Sequence, residues 1–448
     1  MNENKEQPKA KKASSVRHTR AIQRDRSKRV ASVLPDEQVV ARIHEIVHPA
    51  TLEQVGLYHQ LGLRARILTL PVMMALVLSL LWQQTGSVNE LVKLVQQECI
   101  LWVPPLHTLT QQALSTRLRM LPAELFLRVL LSMLPVLNQR SRQRTRPLPA
   151  ELAWAKQQYS QVLACDGSTL DALLRKVGLL QEAERNPLAG RMLALLDILT
   201  RLPTQVWYAE DDQAHDQSFL TKVRSHLPEG SLLLFDLGFT NFTFFRQLSE
   251  QGVFFITRAK CNLAFQGERV LLKTAVVHDQ IVWIGQDDDR QQVRLIAFLY
   301  QGKWYRYLTN DLDPARLPVE YAVALYWQRW RIEDAYAIVK RLLGLAFFHC
   351  GAQNAVQMQL WATWILYSVL VDLTDEVAQQ LNQPFARISV EMVYRSLPFF
   401  TWAHHRGDAP ALIPYLVANA KRLDLVKSIR SDKPSTLRSL QLTMLENP

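Results

Sequence analysis

The chain has 448 residues, of which 48% are hydrophobic and 21% are charged, which excludes a collagen-like, rod-like or wholly disordered protein. Its 52 lysines and arginines exceed its 41 acidic residues, and the net charge of +11 suggests a polyanionic partner. The four cysteines form no C-x-x-C pair, and the N-terminus has no apolar leader. We therefore expect reduced thiols and a cytoplasmic location.

The first 35 residues are predicted to form a basic, disordered tail. Residues 1–31 carry ten basic and three acidic side chains, so +7 of the net charge lies there. Apolar residues are too few in this segment for a packed core. The tail is either a solvated extension or an arm that binds phosphates without sequence preference.

Residues 36–150 are predicted to form a helical domain, because apolar residues recur there at three- and four-residue spacing. Two of its helices are predicted over 87–97 and 108–121, each after a serine or threonine that could cap it. The second carries Arg117 and Arg119, so the pair resembles a helix-turn-helix and both arginines are candidate DNA-binding residues. An ordinary helical bundle with a polar outer face is the alternative.

Two apolar stretches are predicted to be buried helices rather than membrane spans. The first stretch is residues 67–82, and the second, residues 360–371, is shorter still. Both are shorter than the roughly 20 residues that cross a bilayer. We therefore expect no membrane partner.

Residues 151–261 are predicted to form the first half of an α/β core, with three strands followed by helix, strand, helix and strand. Two apolar strands, 161–165 and 230–235, end directly before Asp166 and Asp236. If these strands are neighbours, their carboxylates converge at one edge of the sheet. Carboxylate oxygens are the ligands that Mg²⁺ or Mn²⁺ prefers.

The predicted secondary structure of the remaining chain changes from strands to helices. Residues 262–315 carry strand patterns and form a β-rich insertion. Residues 316–375 return to helix as the second half of the core, with one long helix over about 318–343. Residues 376–448 are predicted to form a C-terminal helical region.

The long helix carries a phenol, two cations and a carboxylate on one face. At 100° per residue they fall within a stripe of about 60°. The four residues are Tyr326, Arg329, Glu333 and Lys340. They form either a solvated stripe with routine charge pairs, or a face that holds a metal through its carboxylate and phosphates through its cations.

A second motif, the H-E-x-x-H pattern at 44–48, is typical of zinc proteases. We interpret it as coincidental, because Pro49 is expected to end the helix immediately and no matching catalytic domain follows.

The stripe has the spacing of a known signature, Tyr-x2-Arg-x3-Glu-x6-Lys, without error. The chain resembles the bacterial insertion-sequence DDE transposases that carry this signature, over about residues 158–373. The motifs D-G-S-T at 166–169 and D-L-G-F at 236–239 are similar to those of the family. Leu237 departs from the basic residue that many members have at that position.

The resemblance implies an α/β fold with a ribonuclease H-like catalytic core, in which helices flank a mixed sheet. It also implies a β-rich insertion and an all-α N-terminal DNA-binding region. Asp166, Asp236 and Glu333 would be the catalytic residues and the ligands of two Mg²⁺ ions, with Mn²⁺ able to replace them.

The implied activity is cleavage of the element's ends by metal-dependent hydrolysis, followed by attack of the freed 3′-hydroxyl on target DNA. Tyr326, Arg329 and Lys340 would grip the backbone of the end. Trp283 and Trp304 could hold a displaced base, although packing in the core is the alternative for both.

The implied partners are double-stranded DNA, as transposon ends and as target, and a second copy of the chain in a homodimeric synaptic complex. Such a bacterial protein would be cytoplasmic and associated with the nucleoid. The alternative functions are a ribonuclease H-like nuclease without strand transfer and an inactive, element-derived DNA-binding protein.

Overall fold

The computed structural model describes residues 36–64, 66–171, 188–210, 216–345, 348–350, 352–428 and 437–446. The predicted basic tail lies outside these residues.

Helices make up the regular structure of the described part of 36–158. Side chains cap the beginnings of three of these helices, as predicted for two of them. Ser87 accepts the backbone N–H of Glu90 at 3.2 Å, and Thr110 accepts that of Ala113 at 3.2 Å. The helices are α1 (Glu37–Glu53), α2 (Val55–Gln60), α3 (Leu70–Trp82), α4 (Val88–Gln97), α5 (Gln111–Met120), α6 (Glu124–Gln143) and α7 (Ala150–Gln158).

The predicted apolar helix within 67–82 is α3, and it is buried over almost its whole length. In the described residues, no single helix is long and apolar enough to cross a membrane. Helices α5 and α6 taken together have the length and composition of a membrane span, but they are bent by 73° relative to each other.

A nine-stranded mixed sheet forms the centre of the molecule, in the order β3-β2-β1-β4-β5-β9-β8-β7-β6. Strand β4 is parallel to both β1 and β5, and the other pairings are antiparallel. The strands are β1 (Val162–Asp171), β2 (Leu188–Asp197), β3 (Pro203–Ala209), β4 (Leu232–Phe235), β5 (Phe254–Arg258), β6 (Gln266–Lys273), β7 (Val277–Ile284), β8 (Gln291–Tyr300) and β9 (Lys303–Thr309).

Both faces of the central strands are covered, so β4 is apolar throughout, as are residues 162–165 of β1 and 192–196 of β2. One face packs against the large core that also contains the N-terminal and C-terminal helices. The other face packs against two short helices that follow β3 and β4, α8 (Leu220–Arg224) and α9 (Phe242–Glu250). A 3₁₀ turn, Asp216–Phe219, leads into α8.

The strands of the predicted β-rich insertion continue the same sheet. Strand β9 is hydrogen-bonded to β5, with Ile256 opposite Thr309 and Arg258 opposite Tyr307. The segment 262–315 therefore does not build a separate sheet, and no break in strand pairing marks its boundary with the core.

The chain after the sheet is helical, as predicted, but the single long helix over 318–343 is wrong. It is divided into α10 (Val319–Gln328), α11 (Arg331–Ala337) and a π-helical turn (Ile338–Leu342). The helices that follow are α12 (Gln353–Gln380), α13 (Val390–His405), α14 (Leu412–Ala418) and α15 (Leu437–Glu446). Helix α12 is buried between α3, α5, α6 and α13.

Candidate active site

The two predicted aspartates lie side by side at one edge of the sheet. The parallel pairing of β1 with β4 ends at Cys165 opposite Phe235, and Asp166 and Asp236 are the next residues. The prediction that the first strand ends before Asp166 is wrong, because β1 continues to Asp171. Beyond Cys165 this strand loses β4 but keeps its antiparallel partner β2, which carries it further.

The four signature residues remain together although their helix is broken. At the break the helix tightens, since the N–H of Arg329 binds the carbonyl of Tyr326 at 3.0 Å and that of Ile332 binds the carbonyl of Arg329 at 3.1 Å. The 100° rotation assumed for a continuous helix therefore does not hold across it. The tertiary contacts, rather than helical periodicity alone, bring the side chains to one place.

Each signature side chain contacts an aspartate motif or another signature residue. The Tyr326 hydroxyl donates to Asp236 Oδ1 at 3.2 Å. Arg329 donates to Asp166 Oδ2 at 3.0 Å, and its other terminal nitrogen lies 3.5 Å from Glu333 Oε1. The fourth contact joins Lys340 Nζ to Ser168 Oγ at 2.9 Å. The structure thus brings all four signature residues to the edge that carries the two aspartates.

Burial separates these residues into two groups. Tyr326 and Arg329 are only 3% and 4% exposed, whereas the Glu333 side chain is 45% exposed. The predicted grip of Tyr326 and Arg329 on DNA is therefore not available in this arrangement, because both point at carboxylates rather than at solvent.

The electrostatics of the site reflect a buried excess of acid. Burial raises the pKa of Asp166 to about 6, opposed by the Arg329 guanidinium and assisted by the charge of Glu333. Burial alone would lower the pKa of Arg329, but the surrounding acidic groups raise it overall. The Nε of Arg329 is buried without a hydrogen-bond partner. This guanidinium is held mainly by the charges around it.

The donor set fits a hard cation in its chemistry, since Asp166, Asp236 and Glu333 offer carboxylate oxygens. Within the described residues, however, no group of three or more Asp, Glu, His or Cys side chains is arranged to hold a metal ion. Arg329 stands where positive charge is needed, bound to two of the three carboxylates. Metal binding by this set therefore requires Arg329 to move away.

Two contacts of the site were missed from the sequence. The Tyr336 hydroxyl donates to the carbonyl of Asp166 at 2.6 Å and accepts the N–H of Ala194 at 3.0 Å, which joins α11 to β1 and β2. Asp216 lies beside the first aspartate motif and is ion-paired with Arg191 at 2.5 Å. Neither Tyr336 nor Asp216 belongs to a sequence motif described above. A local sequence pattern cannot indicate contacts between residues that are far apart in the chain.

The other predicted DNA-binding residues lie apart from this edge. On α5, Arg117 is half-buried and donates to the Tyr58 hydroxyl and, at 3.3 Å, to the Arg64 carbonyl. Arg119 on the same helix is exposed. The structure therefore leaves Arg119, but not Arg117, open to a partner.

Strand register places the two candidate tryptophans, Trp283 on β7 and Trp304 on β9, at opposite edges of the sheet. Because β9 is antiparallel to β5, its beginning lies at the edge of the aspartates, and Trp304 is there with 41% exposure. Trp304 packs on the His278 ring at 4.8 Å. Trp283 lies near the end of β7 at the far edge, under the Arg290 guanidinium at 4.7 Å. The structure does not bring Trp283 to the site.

The H-E-x-x-H pattern lies on α1, which continues through Pro49 to Glu53. The expectation that Pro49 ends this helix is wrong. The rings of His44 and His48 are stacked at 4.4 Å, and both meet Trp102 edge-on. These rings pack on each other and on the indole, so we still interpret the H-E-x-x-H pattern as coincidental.

Comparison with known proteins shows that part of the chain is similar to transposases. Residues 185–369 match the family described as "Transposase DDE domain". A putative transposase y4zB of Sinorhizobium fredii is 29% identical over 185 residues, which cover 38% of this chain and 49% of that protein. A probable transposase for insertion sequence element IS5377 of Geobacillus stearothermophilus is 27% identical over 184 residues, covering 39% and 47%.

These matches confirm the similarity to bacterial insertion-sequence DDE transposases. The chain spans about half the length of the curated relatives it matches. A piggyBac transposase in a synaptic complex with hairpin DNA aligns over 90% of this chain and 85% of that one, at 10% identity. Its TM-score of 0.39 is too low to support an argument.

Proposed function

We propose, from this similarity, that the chain is a DNA transposase that binds the ends of its insertion sequence, cleaves them by metal-dependent hydrolysis and joins them to target DNA. One observation carries the proposal. The signature side chains contact both aspartate motifs at a single sheet edge, with Tyr326 on Asp236 and Arg329 between Asp166 and Glu333.

Asp166, Asp236 and Glu333 are proposed to hold two Mg²⁺ ions, with Mn²⁺ able to replace them. When bound, such ions supply charge neutralisation and activation of an oxygen nucleophile in phosphoryl transfer. The chain itself supplies placement. Asp166 is oriented by the N–H of Gly167 at 2.9 Å and by Arg329, and its backbone is fixed by Tyr336.

In the reaction, water attacks a phosphodiester at the element's end, and the bond to the 3′ oxygen breaks. The freed 3′-hydroxyl then attacks a phosphorus of target DNA and displaces a 3′ oxygen there. Arg329, Tyr326 and Lys340 are proposed to contact the end's phosphates once the guanidinium has left the carboxylates. A planar guanidinium pairs with phosphate as readily as with carboxylate.

The proposal extends to the fold of the core, the role of the N-terminal helices and the oligomeric state. The strand order β3-β2-β1-β4-β5, with β1, β4 and β5 parallel, supports a ribonuclease H-like core. Residues 36–150 are proposed to bind the element's ends, with Arg119 as a contact. Because a transposase acts on two DNA ends, we propose that the chain works as a homodimeric complex. Its proposed location is the bacterial cytoplasm, in association with the nucleoid.

The test uses duplex DNA that contains the sequence flanking the coding region. Asp166→Asn, Asp236→Asn and Glu333→Gln are each expected to lower Mg²⁺-dependent cleavage by about 100-fold or more, since each removes a proposed metal ligand. Binding of the ends, measured by gel shift, should remain. Asp334→Asn is the matched control, because the Asp334 carboxylate is next to Glu333 in sequence, is 60% exposed and is ion-paired with Arg331 at 3.2 Å.

Full cleavage by any of the three variants would remove that residue from the site, and an equal loss in Asp334→Asn would show a general effect. Pre-cut ends incubated with plasmid separate the alternatives. Joined product is expected from a transposase, whereas cutting without joining would indicate a nuclease. Absence of any Mg²⁺-dependent nicking would indicate an inactive DNA-binding protein.

A further inference from the structure

One acidic side chain lies against both aspartate motifs without belonging to either. Asp216 begins the 3₁₀ turn that follows β3, 20 residues before Asp236 in sequence. Its side chain is 17% exposed, and Arg191 of β2 donates to its Oδ1 from Nε at 2.9 Å and from a terminal nitrogen at 2.5 Å. Because Arg191 stands opposite Thr169 in the β1–β2 ladder, this ion pair is anchored to the first motif's own strand.

The glycines of the two motifs show how closely this carboxylate approaches. A β-carbon on Gly167 would overlap Asp216 Oδ1 and would lie 3.1 Å from Arg191 Nε. A β-carbon on Gly238 would lie 3.6 Å from Asp216 Oδ2. The two oxygens of one carboxylate thus face the residue after Asp166 and the second residue after Asp236. Gly167 has an ordinary negative φ, so it is needed here for space rather than for its backbone freedom.

We propose that Asp216 is a positioning residue of the active site, which braces the backbones of the two aspartate motifs and so sets the spacing between Asp166 and Asp236. This inference rests on the proposed metal-dependent function. Asp216 acts through Gly167, Gly238 and Arg191 rather than by touching the reacting atoms. Residues that orient metal ligands in this way commonly affect affinity by about 10- to 100-fold.

The first experiment tests the contact itself and needs no activity. We expect Gly167→Ala to lower Tm by about 2 °C or more, because the new methyl group meets the carboxylate. In an Asp216→Ala background the same change should lower Tm clearly less, because the carboxylate oxygen that the methyl group would meet is absent. An equal cost of Gly167→Ala in both backgrounds would overturn the proposed brace.

The second experiment measures Mn²⁺ binding to the full chain by the electron paramagnetic resonance signal of the free ion. Asp216→Ala is expected to weaken binding by about 10-fold or more. Asp216→Asn keeps an oxygen that can accept from Arg191, and it should stay within about threefold of the unmodified protein. Asp289→Ala is the matched control, because Asp289 is also an ion-paired aspartate, at 3.4 Å from Arg246, but lies in the β7–β8 turn.

Unchanged Mn²⁺ affinity in Asp216→Ala would overturn the proposal, as would equal losses in Asp216→Ala and Asp216→Asn. Equal weakening in the Asp289→Ala control would show that the loss is not specific to the site. If the unmodified protein binds no Mn²⁺, the proposed metal-dependent function fails, and this inference fails with it. The Gly167 cycle would still decide whether Asp216 contacts the motif.

Discussion

The Arg329 guanidinium is a positive charge in the middle of a carboxylate cluster. It is 4% exposed, binds Asp166 at 3.0 Å, and lies 3.5 Å from Glu333. Removing one partner of a buried ion pair leaves the other charge uncompensated, which is strongly unfavourable. Arg329 therefore compensates the charge of these acidic side chains in the protein alone.

We expect Arg329→Gln to lower Tm of the protein without metal and to enlarge the rise in Tm that saturating Mn²⁺ produces, by about 2 °C or more. The reason is that Mn²⁺ has no guanidinium to displace in the variant and meets a more negative site. Thermal unfolding in the absence of DNA, with and without Mn²⁺, measures both effects.

Arg331→Gln is the control for this prediction, because Arg331 is a near neighbour whose partner is Asp334 rather than the proposed ligands. An identical Mn²⁺-induced shift in Arg329→Gln and the unmodified protein would show that Arg329 does not compete with the ion.

At the scale of elements, the break between α10 and α11 separates what the sequence could predict from what it could not. No glycine or proline lies between Val319 and Leu342, so helical propensity and periodicity both favour one continuous helix. The break is accompanied by contacts to distant strands, with Tyr326 on Asp236 and Tyr336 on the Asp166 carbonyl. The residues of the site were predictable from their spacing, whereas the helix geometry depends on partners that are far away in sequence.

Helix α5 offers a second test at this scale, because its two arginines have different surroundings. Arg119→Ala is expected to weaken binding of the element's end and to reduce the slope of log K against log salt by about 1, as for one lost phosphate contact. Arg117→Ala should instead lower Tm, since Arg117 ties α5 to Tyr58 and the Arg64 carbonyl. Gel shifts over a salt series and thermal unfolding measure the two effects.

Arg128→Ala is the matched control for α5, because that arginine is 51% exposed on α6 and pairs with Glu124 of its own helix. An Arg119→Ala variant with the affinity and salt slope of the unmodified protein would remove α5 from the DNA-binding surface.

At the scale of the whole molecule, the N-terminal and C-terminal helices share one core and one ionic network. Asp372 of α12 is 1% exposed in its side chain, and it lies 3.5 Å from Arg42, 3.7 Å from Arg140 and 2.7 Å from Arg144. Arg42 lies on α1, Arg140 lies on α6, and Arg144 directly follows α6. The network therefore joins parts of the chain that were predicted as separate regions.

We expect Asp372→Ala to lower the free energy of unfolding by about 2 to 4 kcal/mol, because three guanidinium groups lose a buried counter-charge. Glu391→Ala, which removes an exposed partner of Arg395 on α13, should cost less than about 1 kcal/mol. Urea unfolding measures both. A loss in Asp372→Ala no larger than in Glu391→Ala would show that the network does not stabilise the junction of these helices.

The sequence predicted most helices and strands of the described chain, together with the residues that meet at the candidate site. The apolar stretches 67–82 and 360–371 indicated α3 and α12, and spacing singled out Glu333 relative to Tyr326 and Arg329. The sequence could not predict which strands pair, because nothing near Tyr307 indicates that it pairs with Arg258, about 50 residues earlier. The supporting contact of Asp216 was missed for the same reason.

The hydrogen bonding of β9 to β5 limits how this protein could be recombined with a relative. A chimera that exchanges the segment between β5 and α10 must reproduce the alignment of Arg258 with Tyr307, or the donor strands will not dock. We expect length changes to be tolerated at the hairpin turns, such as the one between β6 and β7, which are the strands farthest from the aspartates in the strand order. Diversification by module exchange is therefore restricted to hairpin tips, although the segment looks freely exchangeable in the primary structure.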